Sequence, residues 1–533
     1  MRQPGQTLFP GHDRARIGAQ KDEPKKVSHL LFLFGLYGYS WLFEQGGHMT
    51  APESIGGFIE VLESGGMLRR ISEEVDPRLE VTALSEPVMK AGGPALLFEN
   101  VRGASCPLAI NLFGSRERMC LALGVDNLEQ PAERLRALLA MELPQGLWAK
   151  VMTALPKLKE LSAFAPKHIS HAPCQEVALK GDQASLDLLP ILTCWPQDAG
   201  PFITLPQVIT ADFESGRQNA GMYRMQKFGP KATGMHWHRH KGGAGHFEQA
   251  RQRGERLPLA VALGGPPAAV YAASAPLPPV LDEFMFSGFL MGRPLKVAKC
   301  LTCDLLVPAE AEVVLEGYVD PAEEWQEEGP FGDHTGFYSL ADEYPVFHLT
   351  AMTHRRNFIY PATVVGRPPM EDFYLGLATE RIFLPLLQMV LPEVVDYHMP
   401  AEGVFHNLVF VAINKQYPGQ AFKVMNALWG QGQMMFAKVI VVVDAGVDVL
   451  NPQEAWWEAL NHIDPQRDVL FSRGPADALD HAASQPWLHS KMGIDGTKKL
   501  PEEGFTRPWP DRIEMDPEVQ KKALQRLREW GLL

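Results

Sequence analysis

Residues 219–243, NAGMYRMQKFGPKATGMHWHRHKGG, leave few structural options. Two polar segments with alternating character are joined by a turn at Gly229–Lys231. Side chains alternate between faces along a strand. His236, His238 and His240 are therefore expected on one face, and Trp237, Arg239 and Lys241 on the other. A structural sheet normally hides an apolar face. Neither face is apolar here, so the pair reads as the lining of a site rather than a solvated edge hairpin.

The chain has 533 residues, enough for more than one core. Its net charge of -13 argues against nucleic acid as the main partner, because phosphate backbones demand a concentrated basic surface. A phosphorylated small ligand in a local basic pocket remains compatible. Six cysteines without framework spacing point to a reduced, cytoplasmic setting. Cys300 and Cys303 form a CxxC within VAKCLTCDLLVP, which reads as a buried strand with no second pair to complete a zinc ribbon.

Residues 1–48 differ from the rest. Their apolar run HLLFLFGLYGYSWLF is short for a membrane span, and no A-x-A-like cleavage site follows it. They read as an extension upstream of a natural start at Met49. Residues 49–170 read as an α/β domain, with helices at 54–64, 131–141 and 147–164. Residues 171–360 are rich in strands, including 203–213, 221–228, 233–241, 295–303 and 311–319, which suggests a barrel-like or split sheet. Residues 361–500 alternate helices and strands as a second α/β domain. Residues 501–533 are a Pro-rich linker and an amphipathic helix, with Asp516 as cap and Pro517 in its first turn. That helix suits docking, on its own chain or on a partner subunit.

Three further stretches carry candidate chemistry. In PPVLDEFMFSGFLMG, Asp282 and Glu283 sit within an apolar helical run. A carboxylate carried toward a core needs a partner or a metal. Asp282 is assigned to the wet face and Glu283 to function. In EEWQEEGPFGDHTGFY, a Gly-Pro-Phe-Gly turn separates Glu328 from Asp333. Brought together, like charges raise one pKa, and such a carboxyl can deliver a proton near neutral pH. In KQYPGQAFK, amides at a helix start and Lys423 could hold phosphate. Asn219, His240 and Glu283 offer nitrogen and oxygen ligands that suit Mg or Mn. No GxGxxG and no GxxxxGK[ST] is present.

These stretches resemble the UbiD-like decarboxylase family, which includes 3-polyprenyl-4-hydroxybenzoate and ferulic acid decarboxylases. NAGMYRMQ, MHWHRHKGG, DEFMFSGFLMG, VLEGYVD, EGPFGDHTGFY, GRPPMED, KQYPGQA and SKMGID occur in family order between about Met49 and residue 500. The resemblance implies an α+β multidomain fold with a central flavin-reductase-like split β-barrel. It implies prenylated FMN, with Mn2+ (or Mg2+) and K+ bridging its phosphate to the protein. Asn219, His240 and Glu283 are the implied metal ligands. Met222, Tyr223, Arg224, His236, Trp237, His238, Lys241 and Gly242 are the implied cofactor contacts. Arg224, Glu328 and Asp333 are the implied catalytic network, with Asp333 as proton donor. Lys423 is a further implied cofactor contact, although Phe422 stands where the family often has a basic residue.

The chemistry agrees with these residue types. Loss of CO2 from an aryl acid leaves a carbanion that no ordinary side chain delocalises, so a cofactor sink and a positioned acid are needed. The expected activity is non-oxidative decarboxylation of a prenylated or polycyclic aryl acid in ubiquinone or menaquinone biosynthesis. A flavin prenyltransferase would supply the cofactor, a lipophilic substrate would bring the protein to a membrane surface, and the family implies a homo-oligomer, dimer or hexamer. Two rivals are a cupin-type, metal-dependent hydrolase using the His-x-His pairs and a non-catalytic flavin-binding subunit. A cupin needs a Glu soon after His-x-His, and Glu248 is too far along the chain. A non-catalytic subunit would be free to lose Glu328 or Asp333, and both are present.

Overall fold

The computed structural model describes residues 49–139, 162–237, 242–277, 281–485 and 487–533. Residues 1–48, residues 147–161 of the expected helix, and His238, His240 and Lys241 lie outside the described residues.

The centre is a nine-stranded sheet. Its path runs Phe202–Ile203, Met225–Gly229, Ala232–Gly234, Val346–His354, Ala311–Val319, Leu257–Gly264, Pro206–Ala211, Gln218–Gly221, and Val177–Lys180 also pairs with Val346–His354. Neighbours are antiparallel along this path. The sheet is an open, curled half-barrel. Its middle strands, Ala311–Val319 and Leu257–Gly264, are buried on nearly every residue. That explains their near-continuous apolar sequences, since a strand covered on both sides has no wet face to alternate with. A bulge lies between Glu316 and Gly317. A Cβ at Gly317 would lie 1.9 Å from the His348 carbonyl oxygen, so the two strands approach there only because the residue is glycine.

Two smaller sheets flank this one. Leu68–Val75, Ala95–Val101, Leu108–Ile110 and Tyr360–Pro361 form the first. The second is Val394–His398, Leu408–Ile413, Val439–Asp444, Leu488–Asp495 and Val469–Pro475, with its three middle strands parallel. Ile55–Ser64 forms the helix expected from Ile55, Phe58, Ile59 and Leu62, all of which are buried, and Ser54 caps it. That helix shares a core with Tyr271, Phe286, Phe289, Ile382 and Phe383. The core fixes the helix Glu283–Met291 against Glu371–Val390. Asp282 is the cap of the former, accepting from Phe284 N at 2.7 Å and Met285 N at 3.0 Å, so its carboxylate is structural as expected.

Two local expectations are corrected. The strand expected over 233–241 is only Ala232–Gly234, and Met235–Trp237 have left it. His236 and Trp237 thus lie beyond the strand, and the residues expected to share their faces lie outside the described residues. The strand expected over 295–303 ends at Lys299, and residues 300–305 turn back into Leu306–Pro308. The terminal helix Pro517–Glu529 forms with Asp516 as its cap, and none of its residues is buried. No helix among the described residues is long and apolar enough to cross a membrane.

Candidate active site

Arg224 lies between the strands Gln218–Gly221 and Met225–Gly229. Its Nε donates to Glu328 Oε1 at 3.0 Å, its Nη1 to Asp333 Oδ2, and its Nη2 to Ser339 Oγ at 3.2 Å. The guanidinium stacks 4.6 Å from the centre of the Phe331 ring. Glu328 is fully buried and Asp333 nearly so. The turn between the two carboxylates is fastened by its backbone. Gly329 N donates to Gln226 Oε1 at 2.8 Å, Phe331 N to Ser339 Oγ at 3.2 Å, and Gly332 N to Asp198 Oδ1 at 2.8 Å. Buried amides demand such partners, and here they fix where Asp333 stands.

His236 joins this group. Its Nδ1 lies 2.8 Å from Glu328 Oε1 and its ring packs on Tyr344. It is a partner of the buried carboxylate.

The pairing of Glu328 with Asp333 was expected to raise one carboxyl. The structure corrects this. Burial pushes Glu328 up, but His236 and Arg224 outweigh it and hold it below the ordinary carboxylate range. Burial likewise pushes Asp333 up, and it is outweighed by the His334 hydrogen bond and the Arg224 charge. A cation placed between two carboxylates cancels the repulsion that would have kept one protonated.

Asp333 leads into a chain of two histidines. Its Oδ1 accepts from His334 N at 2.8 Å and lies 2.9 Å from His334 Nδ1. His334 Nε2 lies 3.1 Å from His406 Nε2. Burial pushes His334 down, but the Asp333 contact more than offsets this and raises it. His406 is pushed down to about 4, first by burial and then by the His334 charge. The shifts run in opposite directions and favour the proton on His334, between Asp333 and His406. Asp372 stands near His334 and is raised to about 7 by burial. Its Oδ2 is buried without a hydrogen-bond partner.

A second cluster lies beside this one. Glu283 Oε2 accepts from Ala220 N at 3.1 Å, which seats it next to Asn219. Burial pushes Glu283 up to about 7. The helix Gly242–Arg253 begins against the same strand, where a Cβ at Gly242 would meet Asn219 Oδ1 at 2.2 Å. A Cβ at Gly243 would meet Trp237 Nε1 at 2.5 Å. Tyr223 lies beside Asn219 and the Gly243 amide. Asn219 Nδ2 and Trp237 Nε1 are buried with no partner. Unpartnered buried donors, a helix start with glycine in its first turn and a buried carboxylate fit a phosphate held with a cation. Met222 packs against the apolar core next to these residues.

Thus Asn219, Tyr223, Trp237, Gly242 and Glu283 come together, and Arg224, His236, Glu328 and Asp333 form the adjoining group. Lys423 joins neither. Its Nζ, on the helix Gln420–Trp429, is 2.5 Å from Glu393 Oε1. Sequence reasoning missed His334, Ser339, Asp372 and His406. His334 and Ser339 lie in or beside the motif that carries Asp333, and Asp372 ends the motif GRPPMED. His406 sits in GVFHN with nothing local to mark it.

Comparison with known proteins shows the family. Models of the N-terminal, Rift-related and C-terminal domains of 3-octaprenyl-4-hydroxybenzoate carboxy-lyase, UbiD, match residues 59–138, 167–368 and 373–496. An uncharacterised protein of Archaeoglobus fulgidus is 52% identical over 475 residues, covering 89% of this chain and 97% of its own. One of Aquifex aeolicus is 50% identical over 467 residues, covering 87% and 96%. Among solved structures, the UbiD-class enzyme HmfF of Pelotomaculum thermopropionicum in complex with FMN is 30% identical. It has a TM-score of 0.74 and covers 89% of this chain and 99% of that one. The vanillic acid decarboxylase of Sedimentibacter hydroxybenzoicus in closed form is 29% identical, with a TM-score of 0.77 over 89% and 98%.

The Asp372 environment sets a pH dependence. An unfolded Asp loses its proton near pH 4, whereas the native one keeps it to about 7. The native state therefore binds the extra proton in that window, and stability falls as pH rises through it. Asp372→Asn should remove the decline. Urea unfolding at pH 5 and pH 7.5 should show the variant gaining on the parent by on the order of a few kcal/mol. A pH-independent difference would mean that Asp372 is not held neutral.

Proposed function

The chain belongs to the UbiD family, and we propose that it is a non-oxidative decarboxylase of an aromatic acid working with prenylated FMN. We assign it to quinone biosynthesis, with a prenylated or polycyclic aryl acid as substrate. The observation that carries the reading is Arg224 clamped between Glu328 and Asp333 beside a cradle of unpartnered donors.

Prenylated FMN would supply the electron sink that accepts the carbanion left by CO2. Asn219 and Glu283, with His240, would hold Mn2+ or Mg2+ against its phosphate, with K+ completing the bridge. Tyr223, Trp237 and Gly242 line that cradle, and Met222, His238 and Lys241 complete the proposed contacts. Arg224 keeps its charge next to the reacting carboxylate and orients it. Glu328, fixed by His236, holds Arg224 in place. Asp333 receives the proton that His334 Nδ1 presents to its Oδ1 and passes it to the carbon from which CO2 departs. His334 is then restored through His406.

Around this chemistry we propose domains at 49–170, 171–360, 361–500 and 501–533, the second a flavin-reductase-like barrel. A flavin prenyltransferase would supply the cofactor. The protein would be a cytoplasmic homo-oligomer, dimer or hexamer, meeting its lipophilic substrate at a membrane surface.

Asp333→Asn keeps the shape of the acid but cannot deliver its proton. Folding and cofactor content should be normal and turnover lower by about 10²–10⁴-fold. Exchange of hydrogen for deuterium at the substrate carbon should be lost as well, since it uses the same proton. Near-normal decarboxylation in D2O with full deuterium incorporation would move the role to another group.

The anchor has its own test. Glu283→Gln should lower bound divalent metal and bound flavin together, because the ion's charge helps to hold the phosphate. Full occupancy of both, measured on the purified variant, would show that Glu283 is no ligand.

A further inference from the structure

Away from these groups, the CxxC sits in the tight turn between Lys296–Lys299 and Leu306–Pro308. Cys300 N donates to Leu305 O at 2.8 Å, which closes the turn. The two sulfurs lie within 4.8 Å of each other, and Cys303 Sγ stands near the Leu305 amide. Cys300 is buried and Cys303 is half-buried.

The third member comes from the central sheet. Glu316 lies at the bulge in Ala311–Val319, where an extra residue re-aims a side chain. Its carboxylate is fully buried, and the two cysteine sulfurs and a Glu316 oxygen lie within 4.8 Å of one another. Glu316 Oε1 accepts from Leu301 N at 2.9 Å, and Oε2 from Thr302 N and Thr302 Oγ1, both at 2.7 Å. The amides of the CxxC turn thus hold the carboxylate beside the sulfurs. One lone pair of Oε1 remains for a cation.

We propose that Cys300, Cys303 and Glu316 bind a divalent zinc ion, stapling the turn to the central sheet. A tetrahedral zinc with Zn–S bonds of about 2.3 Å places its two sulfurs roughly 3.8 Å apart, within the spacing found here. Thiolates select zinc over the hard cations Mg and Mn. Both thiols give up their protons to solvent on binding, and both sulfurs ligate. Cys303, the more exposed thiol, faces the entry path, and water takes the fourth position. The turn's donors occupy three acceptor positions of Glu316 whether or not the sulfurs are joined; the metal is favoured because the remaining Oε1 lone pair stands beside both sulfurs. The site stands independently of the decarboxylase assignment.

The full chain, kept reduced and stripped with a chelator, is titrated with Co2+. The wild type should develop sulfur-to-cobalt charge-transfer absorption that Zn2+ then abolishes. An oxygen- and nitrogen-ligated cation elsewhere in the protein cannot give that band. Cys303→Ser should lose most of it. Glu316→Gln should retain it, with at least a ten-fold weaker competition by Zn2+. Absence of the band in reduced wild type overturns the proposal, as does a band of equal strength in Cys303→Ser. Should thiol counting find the pair oxidised as isolated and the reduced form take up no Co2+, the pair is a redox dithiol and the zinc site is wrong.

Discussion

The site depends on one guanidinium. Arg224 is buried to within a tenth of its side-chain surface, where an unpaired charge is prohibitive. Two carboxylates neutralise it, one from each end of the Gly329–Gly332 turn. Removing either would leave the other ion poorly matched in a dry setting. The interaction therefore fixes geometry more than it adds stability. It ties the Gln218–Gly221 and Met225–Gly229 region to a loop about a hundred residues later in the chain.

Around Arg224 different elements divide the tasks. The edge of the half-barrel provides Asn219, Tyr223 and the strand against which the helix Gly242–Arg253 begins. The apolar core between the helices Glu283–Met291 and Glu371–Val390 seats Glu283 and Asp372. The C-terminal α/β region contributes His406. The Arg224 group and the cradle thus rest on different elements, and the chain of contacts from Asp333 through His334 to His406 leads out of the half-barrel toward the C-terminal sheet.

Much of this was legible in the sequence because local chemistry dictated it. The apolar runs AKVIVVVD and LVFVAI became parallel strands, and the Asp516 cap stands where the sequence put it. The meeting of Arg224 with Glu328 and Asp333 followed from ordered motifs. What failed was periodicity carried too far. MHWHRHKGG alternates like a strand, yet pairing stops at Gly234 because His236 turns inward to Glu328. The CxxC looked like buried strand because its neighbours are apolar, although Thr302 and Asp304 break the run with turn formers. The protonation of the carboxylates was illegible, since it depends on a cation and histidines brought from elsewhere. His406, fixed only by tertiary contact, left no signal at all.

The central claim is that these residues hold and use prenylated FMN. The direct measurement is the mass and absorption spectrum of the cofactor released from the full chain after co-expression with a flavin prenyltransferase. The account predicts a flavin heavier than FMN by one prenyl unit, with altered absorption. Protein that emerges with no flavin, or with unmodified FMN alone, would contradict it.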